Sequence, residues 1–292
     1  MTMDDKENKG AVSPQEKPIS SVPEIRAGNR PVDGGAYTFS EAEMQDFLKE
    51  EPAAEKWFHK WIGGPELLRR NARYFLYLKD ATPEDLADLP QTHERVEQVE
   101  EFRHSSKFPE IAAMADKPQE LVEENVPGVS FLVIPSIASS RRTYSPLDIL
   151  EAGTLPGTTL FVLPEATLYE LGVLSSSAHM HWVRSNAEKV DEDYRYAPER
   201  VYNTFPWPDA TPEQKRRVEE TAQAILDARA KYPEKSLAVL YDDRSMPDDL
   251  RQAHEANDRA VMEAYGMDAD RAQEADLIDL LRIRNRELTP SS

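Results

Sequence analysis

The 292-residue chain contains no cysteine, which excludes disulfides, thiolate catalysis and Cys-ligated zinc or iron–sulfur centres. Its 11 glycines nowhere form a Gly-x-Gly-x-x-Gly or Walker-type phosphate cradle. No two of its 22 prolines are adjacent, so the Asn/Asp-Pro-Pro-Tyr loop with which amino-methyltransferases grip a flipped base is absent. No Gly-x-Ser-x-Gly nucleophile elbow occurs. No apolar run reaches the roughly 18 residues that a membrane-spanning helix needs. The stretch Met1 to Gly10 is polar, without the apolar core of a secretory signal. A cytoplasmic location is the expectation that these absences leave.

What is present is acid. Fifty-four Asp and Glu face 35 Lys and Arg, a net charge of −19, which argues against nonspecific coating of nucleic acid. The distribution is uneven. Gly128 to Pro208 carries nine acids and six bases, and from Gly128 to Leu147 the only charges are Arg141 and Arg142. The middle of the chain is therefore its least acidic part.

Apolar residues at 39% and charged residues at 30% suit a globular protein with room for two modest domains. Residues 1–20 offer almost nothing to bury and read as a disordered leader. Pro31-Val32-Asp33-Gly34-Gly35 is turn chemistry. Ser40 and Glu43 form a capping box before a short helix. Arg73 to Leu78 reads as a strand. Thr82-Pro83-Glu84 opens a helical stretch in which Val96, Val99 and Phe102, spaced by three, share a face. Lys107 to Pro127 has weak periodicity and reads as a surface connection. Short apolar runs at Ser130–Ile134, Thr159–Leu163 and Thr167–Leu174 read as strands. From Thr211-Pro212-Glu213 onward the pattern is helical, with apolar stripes through Val218, Ala222, Ile225 and Leu226, and through Leu250, His254, Asn257, Val261 and Tyr265. A last helix runs from Ala272 to about Leu288. The expectation is an α+β protein: a mixed α/β domain over 21–208, then a helical domain over 209–292.

Catalytic patterns are weak. His179-Met180-His181 on a strand would put two imidazoles on one face, but no third ligand has suitable spacing, and packing beside Trp182 accounts for them. Pro208-Asp209…Glu213-Gln214-Lys215 imitates a nuclease pattern, yet its spacing is short and its residues are those of a helix start. Two segments look like surface chemistry. In Ser139-Ser140-Arg141-Arg142-Thr143-Tyr144-Ser145, paired arginines beside hydroxyls and an aromatic can hold phosphates or read a guanine edge; a solvated hairpin tip is the other reading. In Glu188 to Tyr196, Lys189 and Arg195 can donate to guanine while Asp191 and Asp193 accept from the cytosine amino group; a charged turn with its tyrosines packed inward is the other reading.

Tyr202-Asn203-Thr204-Phe205-Pro206-Trp207-Pro208 resembles the Tyr-Asn-Asn-Phe-Pro-Trp-Pro signature of MmeI-like enzymes, fused restriction-and-modification enzymes and related adenine-specific DNA methyltransferases. Gly28-Asn29-Arg30-Pro31-Val32-Asp33-Gly34-Gly35, Phe102-Arg103, Ser139 to Tyr144, Gly172-Val173-Leu174-Ser175-Ser176, Asp193-Tyr194-Arg195-Tyr196 and Leu240-Tyr241-Asp242 match in the same order. The resemblance spans about Lys17 to Gly266. It implies the target-recognition domain and following helical domain of such an enzyme, with double-stranded DNA as partner. S-adenosylmethionine would bind a methylase domain that has no counterpart here, so this chain carries no catalytic or cofactor residue of its own. The expected role is a split subunit acting with a methyltransferase, or a gene remnant. An acidic decoy that mimics DNA toward a methylase or nuclease is the contrasting expectation. Under the resemblance, Arg141, Arg142, Tyr144, Lys189, Asp191, Asp193 and Arg195 are the DNA-binding candidates, and Phe205 to Pro208 are structural.

Overall fold

The computed structural model describes residues 12–289. The chain forms two compact units with interleaved segments. One comprises 26–130 and 150–162; the other takes 131–149, 163–289 and the segment before residue 26. The helical tail from residue 209 onward is grouped with residues 131–149 and 163–208 in the second of these units.

In the first unit, strands Thr38–Phe39, Arg73–Leu76, Phe58–Ile62 and Leu155–Pro156 pair in that order. The first three are antiparallel, and the last joins in parallel through Trp61 and Ile62. Aromatics fill the core: the rings of Phe39, Phe47 and Phe58 lie 5.1–5.7 Å apart, edge to face, and Trp61 stacks on Phe75 at 5.1 Å. The Ser40/Glu43 capping box starts the helix Glu41–Glu50 as expected.

The helix Pro90–His104 begins without a side-chain cap of its own. Glu51, buried, supplies one from forty residues away, accepting from the Gln91 and Thr92 amides at 2.8 and 3.1 Å. On this helix Val99 is buried, but Phe102 is 44% exposed and does not continue the buried face. Its ring lies over Gly34, whose φ of +64° and missing side chain make the space.

Arg103, at 0% exposure, donates to five backbone carbonyls, those of Pro31, Val32, Met114, Lys117 and Glu120, at 2.8–3.1 Å. Three of the five lie in Lys107–Pro127. That segment is therefore more than a surface connection: it includes the helix Pro109–Ala112, buries Ile111, Ala115 and Leu121, and wraps a guanidinium. The turn at Pro31–Gly35 is closed by Asp33, which accepts from the Gly35 and Tyr37 amides.

In the second unit, strand Phe131–Pro135 is buried along its whole length. A small antiparallel sheet pairs Glu188–Val190 with Asp193–Arg195 and the latter with Ile137–Ala138. The apolar run after Thr167, read from sequence as a strand, is the helix Leu168–Leu174. Thr167 and Glu170 cap it reciprocally, and that Thr-x-x-Glu pattern outweighs the β-propensity of the run.

His179 and His181 sit on the next helix, Ser177–Asn186, where side chains two apart diverge rather than share a face. Helices Leu168–Leu174, Pro212–Ala230 and Asp248–Ala264 meet at Gly172. There a Cβ would fall 2.5 Å from Val218, and Asn257 joins the three helices, donating to Gly172 O at 2.8 Å and accepting from Thr221 Oγ1 at 3.0 Å.

The signature segment Tyr202–Pro208 is buried throughout. Tyr202 donates to Pro23 O at 2.7 Å, Tyr265 to Pro206 O at 2.9 Å, and Asn285 to Thr204 O at 2.7 Å. The expected structural role of Phe205 to Pro208 agrees with this packing. The same segment holds residues read as leader. Gln15 and Ile19 donate backbone bonds to Glu199 and Asn203, and Ser20 Oγ accepts from Trp207 N. Residues 12–20 thus find partners that their composition does not announce. The remainder of the expected leader, 1–11, lies outside the described residues. Among the described residues no helix is long and apolar enough to cross a membrane.

Candidate nucleic-acid interface

The mixed-charge segment Glu188–Arg195 is a two-residue β-hairpin. Its turn is Asp191-Glu192, with Asp191 at φ +56°, a left-handed conformation that Asp tolerates better than most residues. The register sorts the candidates. Glu188 faces Arg195, Val190 faces Asp193, and Arg195 faces Ile137. Because side chains alternate, these five share one face, on which Ile137, Glu188 and Arg195 are exposed. Lys189, Tyr194 and Ala138 lie on the other. Arg195 and Lys189 therefore present their charges on opposite faces.

The loop Ser139–Ser145 leaves the edge strand of this sheet. Asp193 ties the two together, its Oδ1 accepting from the Ser140 amide at 2.9 Å and Ser139 Oγ at 3.1 Å. One carboxylate oxygen expected to meet a base edge is thus engaged in shaping the loop. Arg141 is exposed, 3.8 Å from the equally exposed Glu192, a weak surface pair. Arg142 is half-buried, and burial lowers its pKa against the pull of Asp193 and Asp242. Its carbonyl accepts from Arg184 at 2.8 Å.

Tyr144 does not belong to the surface. It is 4% exposed, stacks on His254 at 4.1 Å and donates to Asp258 at 2.9 Å. Its expected place among the DNA-binding side chains is corrected to a core position, because its ring is covered by His254 and its hydroxyl is engaged by Asp258. Asp191, Lys189, Arg195 and Arg141 remain exposed.

Behind the sheet lies a neutral buried network. His179 Nδ1 is 3.0 Å from Leu174 O, which can only accept, so Nδ1 carries the proton and Nε2 accepts from Tyr196 Oη at 3.0 Å. Burial accordingly lowers the His179 pKa to about 4. His181 instead meets Glu274 at 3.2 Å. The two imidazoles do not converge, and among the described residues no cluster of three His, Asp or Glu side chains is arranged to hold a metal. Thr211 and Gln214, beside the nuclease-like residues, form the capping box of the helix Pro212–Ala230.

Sequence reasoning missed Ile137, exposed beside Arg195, and the acidic residues Asp243 and Asp258 that hold the loop from the helical tail. Ile137 was hidden inside an apolar run. The two acids stand about a hundred residues from the loop, and nothing in a single sequence links them.

Fold and site together define an α+β module that carries an exposed, charged hairpin and a pinned loop. The chain belongs to the MmeI family. Residues 6–209 match the MmeI target recognition domain and residues 210–291 the MmeI C-terminal domain.

DNA methyltransferase A of Bacillus subtilis (strain 168) is 34% identical over 272 residues, which cover 93% of this chain and 31% of that protein. The type IIL restriction-modification enzyme MmeI, solved in complex with DNA, superposes with a TM-score of 0.91 at 32% identity, covering 96% of this chain and 37% of MmeI. The chain thus spans about a third of the length of these relatives.

Proposed function

We propose that this chain selects the DNA target site for a restriction-modification methyltransferase. The observation that carries the reading is the three-stranded sheet with its exposed hairpin, on the same fold as the DNA-bound MmeI. Arg195 and Arg141 are suited to guanine edges or phosphates, Lys189 to a further contact, and Asp191 to the cytosine amino group. Arg142 contributes from a half-buried position, and Asp193 acts chiefly by shaping the loop.

The methyl transfer itself, to the adenine amino group from S-adenosylmethionine, is assigned to a methylase domain, and no residue of this chain is assigned to that cofactor. Phosphate contacts would position such an assembly while a few side chains specify bases. The strongly acidic remainder of the chain fits a reader whose affinity in isolation is low.

Fluorescence anisotropy of the purified chain against a random-sequence duplex pool, titrated with salt, is the test. Salt-sensitive binding, followed by enrichment of one sequence from the pool, is the expected result. Binding that enriches no sequence, or no binding either alone or with a methylase partner added, would overturn the reading. Binding to a methylase or nuclease in competition with DNA would replace it with that of a decoy.

A further inference from the structure

We infer that acidic residues of the helical C-terminal domain, Asp243 foremost and Asp258 behind it, are positioning residues that set the conformation of the recognition loop and through it the choice of DNA sequence. This rests on the proposed recognition role of that loop.

The loop is held at nearly every residue by a group from elsewhere. Ser139 and Ser140 are bound by Asp193, and the Arg142 carbonyl by Arg184. Thr143 donates its amide to Asp243 Oδ1 and its hydroxyl to Asp243 Oδ2, both at 3.0 Å, a two-point clasp across one hundred residues. Tyr144 donates to Asp258 Oδ2 at 2.9 Å, while Asp258 Oδ1 takes the Ser177 amide at 2.7 Å. The clasp is itself braced, since Arg251 donates to the Asp243 carbonyl at 2.9 Å. Arg141 is the residue of this run that projects, exposed, from the pinned backbone.

A loop left to itself would sample many orientations of that arginine, and base readout depends on orientation while phosphate attraction does not. The surprising feature is the charge. An exposed carboxylate beside a surface meant for DNA repels phosphate, so its presence calls for a compensating role, and fixing two polar groups of Thr143 supplies one.

The clasp and the charge separate experimentally. Asp243→Asn removes the charge but keeps an acceptor for the Thr143 amide, whereas Asp243→Ala removes both. Hydrogen exchange of the intact chain reads the loop directly, and enrichment from the random duplex pool reads selectivity. Asp243→Ala is expected to exchange the Thr143 amide about tenfold faster and to lose about tenfold in discrimination between the enriched duplex and the pool, while Asp243→Asn retains most of both.

Unchanged exchange in Asp243→Ala would overturn the clasp whatever the DNA result. Faster exchange with unchanged discrimination would overturn its role in selectivity. Equal tightening on all duplexes in both variants would reduce Asp243 to a phosphate repellent and overturn the inference. A wild-type chain that enriches no sequence would instead sink the proposed function, and with it the selectivity half of this inference, while the exchange result still decides the clasp.

Discussion

The segment Tyr202–Pro208 and the hairpin Glu188–Arg195 are close neighbours in sequence and opposite in design. The first is buried end to end, with Tyr202, Pro206 O and Thr204 O bonded to Pro23, Tyr265 and Asn285 respectively. The second carries six charged residues on eight positions and leaves five of them, Glu188, Lys189, Asp191, Glu192 and Arg195, exposed. The buried segment is fixed by packing, with Trp207 in edge-to-face contact with Tyr202 and Phe205 at 6.0 and 5.8 Å. The hairpin is held mainly by backbone pairing, with Asp193 the side chain that ties it to the neighbouring loop.

The same contrast divides the arginines. Arg103 serves five carbonyls inside the first unit, whereas Arg195 lies exposed on a sheet face.

The largest test of that contrast is Arg103→Ala, which strands five carbonyls and opens a void. It is expected to destabilise by on the order of 4 kcal/mol, read as a lower urea midpoint. A loss under 1 kcal/mol would show that water replaces the guanidinium and that the buried arginine is dispensable.

Tyr202→Phe is milder. It keeps the ring and removes the bond to Pro23, so about 1 kcal/mol is expected in the same assay, together with faster exchange near Pro23.

Acid titration probes the second unit's buried groups. His254, desolvated and facing Arg229, is lowered to about 3, and His179 to about 4, from an ordinary 6.5. Between those values and 6.5 the unfolded chain binds more protons, so stability is expected to fall as pH drops through that window. Asp258 has the opposite sign: burial raises it from 3.8 to about 6, so its contribution is largest at low pH and is lost as pH rises from about 4 to 6. Asp258→Asn should therefore steepen the rise of Tm with pH over that interval. A shallower profile would mean that Asp258 is charged in the folded state.

The smallest stability effect belongs to the hairpin. Arg195→Ala is expected to move the urea midpoint by less than about 0.5 kcal/mol while shifting or relaxing the sequence enriched from the duplex pool. An unchanged enriched sequence would remove Arg195 from the reading face.

Much of the local structure was legible. The capping box at Ser40, the N-cap at Thr211 and the helical tail from Pro212 onward are local patterns, and local hydrogen bonds satisfy them. Thr167–Leu174 was misread because a short apolar run is compatible with strand and buried helix alike; the deciding Thr167–Glu170 box was present but overlooked. The basic and acidic candidates on the hairpin were legible as residue types. Their sorting onto two faces, and the removal of Tyr144 to the core, were not, because both depend on strand register and on a helix that arrives a hundred residues later.

By itself the amino-acid order determined the helix starts at Ser40 and Thr211, the turn at Pro31–Gly35, the least acidic middle region and the family signature. Each follows from interactions among residues a few positions apart, or from composition. Tertiary structure alone decided that Arg103 is wrapped by carbonyls, that residues 12–20 lie along the signature segment, and that Asp243 and Asp258 grip the loop before Tyr144. Those pairings bring together groups far apart in the chain, and such partners are set by the packing of whole elements, which no local pattern encodes.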